Sequence, residues 1–249
     1  RIHGWYMYPK FVDRRNMPCI VSYHGYGGNR GRPAAFMQWL MAGFAVISID
    51  CRDQNGDTGN RAIYSSGSTQ SAVCKGILDK DEYYFRAVYM DCMRAIDFAY
   101  TREEIDKDRI IVEGGSQGGA LAMAVAALDH RVYASLADVP SNSNIEKRIE
   151  GSYGSFSSVT GYLKVHPDKI EKVYETLSYF DTMNMADKID CPVLASVGLQ
   201  DNICPAKLYF ATYNRIRGEK RVEIYPFNGH EGGGAIHNEI KLRYVMEII

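Results

Sequence analysis

The chain is 249 residues long and carries 29 basic and 30 acidic side chains, for a formal net charge of −1. This near-neutral balance, with no block of like charge, argues against nucleic acid or an anionic membrane as partner, and no apolar stretch approaches the roughly 20 residues of a membrane-spanning helix. A chain of this size buries roughly 75% of its unfolded surface, enough for a substantial core in one large domain spanning residues 1–249.

In chain order, "RIHGWYMYP" at the start reads as a strand, and "MPCIVSYHG" (17–25) is a short apolar, β-branched run ending in glycine. "AAFMQWLMAG" (34–43) has helical spacing, and "FAVISID" (44–50) is a second buried-type strand. A loop rich in Gly, Ser, Asn and Asp runs from Cys51 to about Asp81, and "DEYYFRAVYMDCMRAIDFAY" (81–100) then keeps a helical apolar stripe. "RIIVEG" (109–114) is a strand, "GALAMAVAALD" (119–129) a helix and "YASLADV" (133–139) a strand. Residues 141–190 break the rhythm: they are polar and partly helical, as a lid or cap insertion would be. "CPVLASVG" (191–198) and "RVEIYP" (221–226) are the last strands, each followed by a helical segment. Continuous apolar strands alternating with helices predict an α/β fold with a mostly parallel sheet covered on both faces.

The six cysteines (Cys19, Cys51, Cys74, Cys92, Cys191, Cys204) are scattered without a C-x-x-C pair. They read as reduced thiols, neither a disulfide framework nor a zinc site, and point to a reducing, cytoplasmic setting.

The chemistry centres on "IIVEGGSQGGA", where Ser116 lies in Gly114-x-Ser116-x-Gly118 between a strand and a helix. That context is what a nucleophile elbow demands: a strained serine, tiny neighbours, and the Gln117 N–H aimed at a developing oxyanion from the helix start. The plainer alternative, a phosphate-binding turn, fails because neither G-x-G-x-x-G nor G-x-x-x-x-G-K-[ST] can be read here. A nucleophilic serine needs a base and a carboxylate to orient it. In the order Ser…Asp…His, Asp201 follows the strand "CPVLASVG" and His230 follows "RVEIYP". Of the remaining histidines, His3 and His24 precede Ser116, His130 follows a helix, His166 lies in the insertion and His237 in a helical segment. A metal reading of His230-Glu231 fails because Gly234 stands where H-E-x-x-H requires its second histidine. "YHGYGGNRG" (23–31) supplies a second glycine-rich loop, and the Tyr26 N–H is the second oxyanion donor predicted from it.

Taken together, "RIHGWY", "HGYGG", "KGILDKDEYYFR", "DRIIVEGGSQGGALAMAVAALD", "TLSYFDTMNMADKIDCPVLASVGLQDNICP" and "YPFNGHEGGG" resemble the acetyl xylan esterases and cephalosporin C deacetylases, carbohydrate esterase family seven of the α/β-hydrolase superfamily. The resemblance spans essentially the whole chain. It implies Ser116, Asp201 and His230 as a triad, Tyr26 and Gln117 as oxyanion donors, and no cofactor or metal. It implies as substrate an acetyl ester of a sugar or similar alcohol, such as a xylo-oligosaccharide or cephalosporin C, and a ring-like homo-hexamer as assembly. The family's Arg-Gly-Gln signature is represented by Arg52 and Gln54, with Asp53 replacing the glycine; aspartate tolerates positive φ at modest cost. Glu231 completes the His-Glu pair. Family members also extend several tens of residues before the position matching Arg1, and "SNSN" after Pro140 replaces an apolar stretch. A serine peptidase of this fold usually adds a large gating domain, perhydrolysis would use the same residues, and a non-catalytic binding protein should have lost a triad member.

Overall fold

The computed structural model describes residues 1–13, 15–67, 69 and 71–249. The predicted loop from Cys51 to about Asp81 therefore includes two positions, 68 and 70, outside the described residues. Its described part contains one 3-10 turn, Ala72–Cys74.

Among the described residues seven strands form one sheet: β1 (Gly4–Met7), β2 (Met17–Tyr23), β3 (Ala45–Ile49), β4 (Ile105–Gly115), β5 (Ala134–Asp138), β6 (Val193–Gly198) and β7 (Lys220–Tyr225). Their spatial order is β1-β3-β2-β4-β5-β6-β7, parallel throughout except for the antiparallel edge strand β1. All five residues of β3 and all six of β6 are buried, which explains their unbroken apolar reading: helices cover both faces of the sheet.

The pleat sends alternate residues to opposite sides. Ile20, Val46, Ile111, Leu136 and Leu194 pack with Trp39 of α1 (Met37–Met41) and with Tyr244 and Val245 of α8 (Gly234–Ile248). Cys19, Val21, Ala45, Ile47, Ile110 and Val112 face α2 (Tyr84–Tyr100) and α3 (Gln117–Leu128). Helix α3 is apolar all round and buried at every position except Leu128, as befits a helix clamped between sheet and insertion.

Two element boundaries differ from the sequence pattern. The segment from Ala34 opens as a 3-10 turn, Pro33–Phe36, because proline at the first helical position favours entry but donates no N–H. Helix α2 begins at Tyr84 and not at Asp81, since the Asp79 carbonyl already holds the N–H groups of Glu82 and Tyr83 in a turn.

The insertion after β5 folds as α4 (Ile145–Glu150), α5 (Ser157–Val165) and α6 (Ile170–Ser178), with α7 (Ala206–Tyr213) following β6. Its "SNSN" entry is an internal polar anchor: Ser141, Asn142 and Ser143 are all buried. Ser143 Oγ lies 3.0 Å from Thr182 Oγ1 and accepts from Thr212 Oγ1 at 2.9 Å. Asp181 accepts the N–H groups of Asn144 (3.0 Å) and Ile145 (2.6 Å), pinning the start of α4. Among the described residues no helix is long and apolar enough to cross a membrane.

Candidate active site

The parallel sheet brings the C-terminal ends of β4, β6 and β7 to one edge, where ligands of such sheets bind. Ser116 follows directly on β4 and caps α3 with φ 58° and ψ −117°, a strained conformation for a residue bearing a Cβ. Its N–H donates to the Asp138 carbonyl at 2.8 Å, so β5 holds the turn in place. The flanking glycines are required for space: a Cβ at Gly118 would stand 2.0 Å from the Tyr23 carbonyl oxygen, and one at Gly114 2.5 Å from both that oxygen and the Gly118 carbonyl carbon. Strand and helix approach too closely for any side chain there.

Gln117 is buried, and its side chain turns inward. Gln54 Nε2 donates to Gln117 Oε1 at 2.9 Å, while Gln117 Nε2 reaches Gln54 Oε1 and the His24 carbonyl, each at 3.3 Å. The Gln117 backbone N–H, first in α3, is thereby left at the positive end of the helix. Gln54 Oε1 also accepts the Gly27 N–H at 2.7 Å, tying the 24–28 loop to the elbow. A Cβ added to Gly25 would sit 3.9 Å from Ser116 Cβ, so this loop lies directly against the serine. Tyr26 is fixed by its hydroxyl, which accepts the Ala72 N–H at 3.1 Å, and its own N–H has no acceptor among the described residues.

Arg52 forms a two-pronged pair with Asp91 (2.6 and 2.7 Å), and the Arg52 carbonyl accepts from Tyr84, fixing the turn that presents Gln54. Asp53 has φ +59°, so the position that departs from the family signature does occupy the left-handed region. His24 is structural: its Nε2 accepts the Cys51 N–H at 2.8 Å.

Asp201 and His230 meet through His230 Nδ1 and Asp201 Oδ2 at 2.8 Å, with the aspartate side chain fully buried. Asp201 Oδ1 accepts the N–H groups of Ile203 and Cys204, both at 2.8 Å, leaving neither oxygen idle. Burial pushes the Asp201 carboxyl up, but the His230 hydrogen bond and the two backbone donors outweigh it and hold the group below the ordinary value. His230 is raised from 6.5 to about 10, chiefly by the bond to Asp201 and next by the Cys204 side chain beside the ring. Glu231 accepts from Asn228 Nδ2 (2.9 Å) and the Gly229 N–H, bracing the turn that carries His230.

One participant was not anticipated. Cys204 Sγ lies 3.9 Å from Ser116 Oγ, and among the described residues no hydrogen bond joins Ser116 directly to His230. Hydrogen bonds of that kind tighten as substrate seats. The thiol enters because Asp201 draws back the N–H three residues on, a turn implicit in "DNIC". Asp201, Cys204 and His230 place their potential ligand atoms within 4.8 Å of one another, an N/S/O set of the kind that suits zinc. Both Asp201 oxygens and His230 Nδ1 are already committed, however, and the Arg148 guanidinium lies 3.6 Å from the sulfur, so a cation has poor footing.

Behind the elbow, Lys241 and His237 of α8 reach Asp138 at 2.6 and 3.0 Å, Lys241 approaches Glu113 at 3.6 Å, and Trp39 Nε1 donates to Glu113 at 3.2 Å. This buried cluster anchors α8 to the strand whose last carbonyl holds Ser116.

The strand order, the elbow and the loops at the sheet's carboxyl edge define an α/β hydrolase. More narrowly, residues 1–248 match the acetyl xylan esterase (AXE1) family model, and the chain belongs to that family. An acetyl xylan esterase from Paenibacillus sp. R4 superposes with a TM-score of 0.96 at 42% identity, covering 100% of this chain and 80% of that one. Acetyl xylan esterase 1 from Thermoanaerobacterium sp. JW/SL YS485 gives 0.92 at 30% identity, over 99% and 79%. The acetyl esterase Axe7A of Xylanibacter ruminicola is 36% identical over 161 residues, 64% of this chain and 35% of that protein. The chain spans between a third and two fifths of the length of the curated relatives it matches.

Proposed function

We propose that the chain is a serine carboxyl esterase that removes acetyl groups from small acetylated carbohydrates such as xylo-oligosaccharides, or from cephalosporin C, through an acetyl-Ser116 intermediate. The observation that carries the proposal is the Ser116 elbow, strained at φ 58° at the head of α3, on the same sheet edge as the His230–Asp201 pair. Membership of the acetyl xylan esterase family supports the substrate class.

In this mechanism His230 takes the Ser116 proton as Oγ attacks the acetyl carbonyl, and Asp201 orients the ring and stabilises its cation. The N–H groups of Gln117 and Tyr26 stabilise the tetrahedral oxyanion, each donor being worth about 3 kcal/mol. The alcohol leaves with the proton from His230, and water then releases acetate by the same steps. Arg52, Gln54, Gly114, Gly118 and Glu231 act by holding these groups in place. Residues 1–249 form one catalytic domain, with 141–190 as a cap on the leaving-group side. A homo-hexamer is the proposed assembly. Exposed Leu199, Ile224 and Phe227, on or just after β6 and β7, are consistent with buried subunit contacts, and mass photometry would test it.

The test is Ser116→Ala assayed on 4-nitrophenyl acetate. Turnover should fall on the order of a million-fold, the scale for deleting a serine nucleophile, with the melting temperature preserved; near-native turnover would sink the proposal. Profiling C2 to C8 esters should give a steep preference for acetate.

A further inference from the structure

Five of the six cysteines are accounted for by burial, which pushes Cys19, Cys51 and Cys92 up, Cys74 to about 11 and Cys191 to about 12. Cys204 is buried as well, at 4% exposed, but differs in its surroundings. Its sulfur lies 3.9 Å from Ser116 Oγ, within 4.8 Å of ligand atoms on Asp201 and His230, and 3.6 Å from Arg148 Nη2.

Arg148 gives the independent reason to look closer. It is 1% exposed, and no carboxylate lies within ion-pair distance among the described residues. Its Nη2 donates to the Ile203 carbonyl at 3.0 Å, and its Nε has no hydrogen-bond partner. The guanidinium lies over the Phe156 ring at 5.3 Å and brings Nη2 to 3.6 Å from the Cys204 sulfur. The Cys204 sulfur thus sits between the Arg148 guanidinium and the Ser116 hydroxyl, and a cysteine sulfur is the attacking atom in disulfide exchange.

We propose that Cys204 is a covalent modification site inside the esterase centre, where low-molecular-weight disulfides and thiosulfonates form a mixed disulfide that arrests ester hydrolysis until a thiol removes it. The part of this that concerns hydrolysis rests on the Ser116 reading above. In the reaction the Cys204 sulfur gives up its proton and attacks one sulfur of the disulfide. The old S–S bond breaks, and the departing sulfur leaves as a thiolate that takes up the proton as a free thiol. With methyl methanethiosulfonate the leaving group is methanesulfinate. Cys204 is only 4% exposed, so the reaction is confined to reagents small enough to reach Ser116 Oγ, 3.9 Å from the sulfur. Once attached, the new group occupies the acyl volume beside Ser116 and separates it from His230.

The experiment exposes the purified protein to stoichiometric steps of methyl methanethiosulfonate. Peptide mapping by mass spectrometry then locates the label, and 4-nitrophenyl acetate reports turnover. Cys204 should be labelled first, with about a tenfold or greater loss of activity that dithiothreitol restores, whereas Cys204→Ala and Cys204→Ser should each keep their own starting rate within about twofold. Activity lost without a label on Cys204, Cys204 labelled with activity intact, or equal loss in both variants would overturn the proposal. Labelling is also read in Ser116→Ala, which needs no turnover. If that variant hydrolyses ester while Cys204 still takes the label, the nucleophile assignment fails and the modification site stands.

Discussion

Replacing Asp201 by asparagine tests the site at the atom on which its geometry turns. Asp201 Oδ1 accepts two backbone N–H groups at 2.8 Å, so the carbonyl oxygen of an asparagine must occupy that position. Its NH2 group then faces His230 Nδ1, which donates to Oδ2 in the native chain. Two donors cannot face each other, so the ring must carry its proton on Nε2 and present Nδ1 as acceptor. The lone pair that should receive the Ser116 proton is gone, while the fold is scarcely disturbed. For a serine, histidine and aspartate constellation this tautomer change costs on the order of 10⁴ in kcat, or about 5.5 kcal/mol of transition-state stabilisation. The assay is steady-state hydrolysis of 4-nitrophenyl acetate by Asp201→Asn, with the melting temperature as control. A loss smaller than about tenfold in a folded variant would refute the reasoning.

The remaining predictions concern the same framework. Because His230 is raised from 6.5 to about 10, and the base form is the neutral ring, kcat/KM should rise along an alkaline limb lying above pH 6.5; a limb at or below that value counts against the pairing. The sign for stability is opposite: the raised His230 contributes fully below 6.5 and its contribution is lost as pH rises toward 10, while that of the lowered Asp201 is present above its ordinary value and lost as acid protonates it. Thermal melts across that range should show the decline. Gly118→Ala should destabilise by about 3 kcal/mol or more, since the added carbon meets the Tyr23 carbonyl at 2.0 Å, and denaturant titration would measure it. Lys241→Met leaves Glu113 and Asp138 buried without their ammonium, which should cost about 3–5 kcal/mol and lower the melting temperature by roughly 10 °C in calorimetry. An unchanged melt would mean that His237 and Trp39 suffice.

By itself the sequence determined what is local. Strand, elbow and helix around Ser116 are contiguous, and their demands on backbone and space are met by Gly114 and Gly118, so the motif and the structure say the same thing. The buried strands were legible because helices cover both faces, which leaves no polar alternation to interrupt the apolar runs of β3 and β6. The pairing of Asp201 with His230 followed from strand order, since parallel strands deliver their C-terminal loops to one edge. Tertiary structure alone decided the rest, because each remaining feature joins residues that no spacing rule connects. Gln54 and Gln117 lock the 24–28 loop and the Ser116 turn together, bridging 63 positions. Lys241 reaches Asp138 across 103. Arg148, from the insertion after β5, crosses 56 to stand over Cys204. A buried polar group must find its partner wherever the fold brings one, and only the folded chain shows where that is.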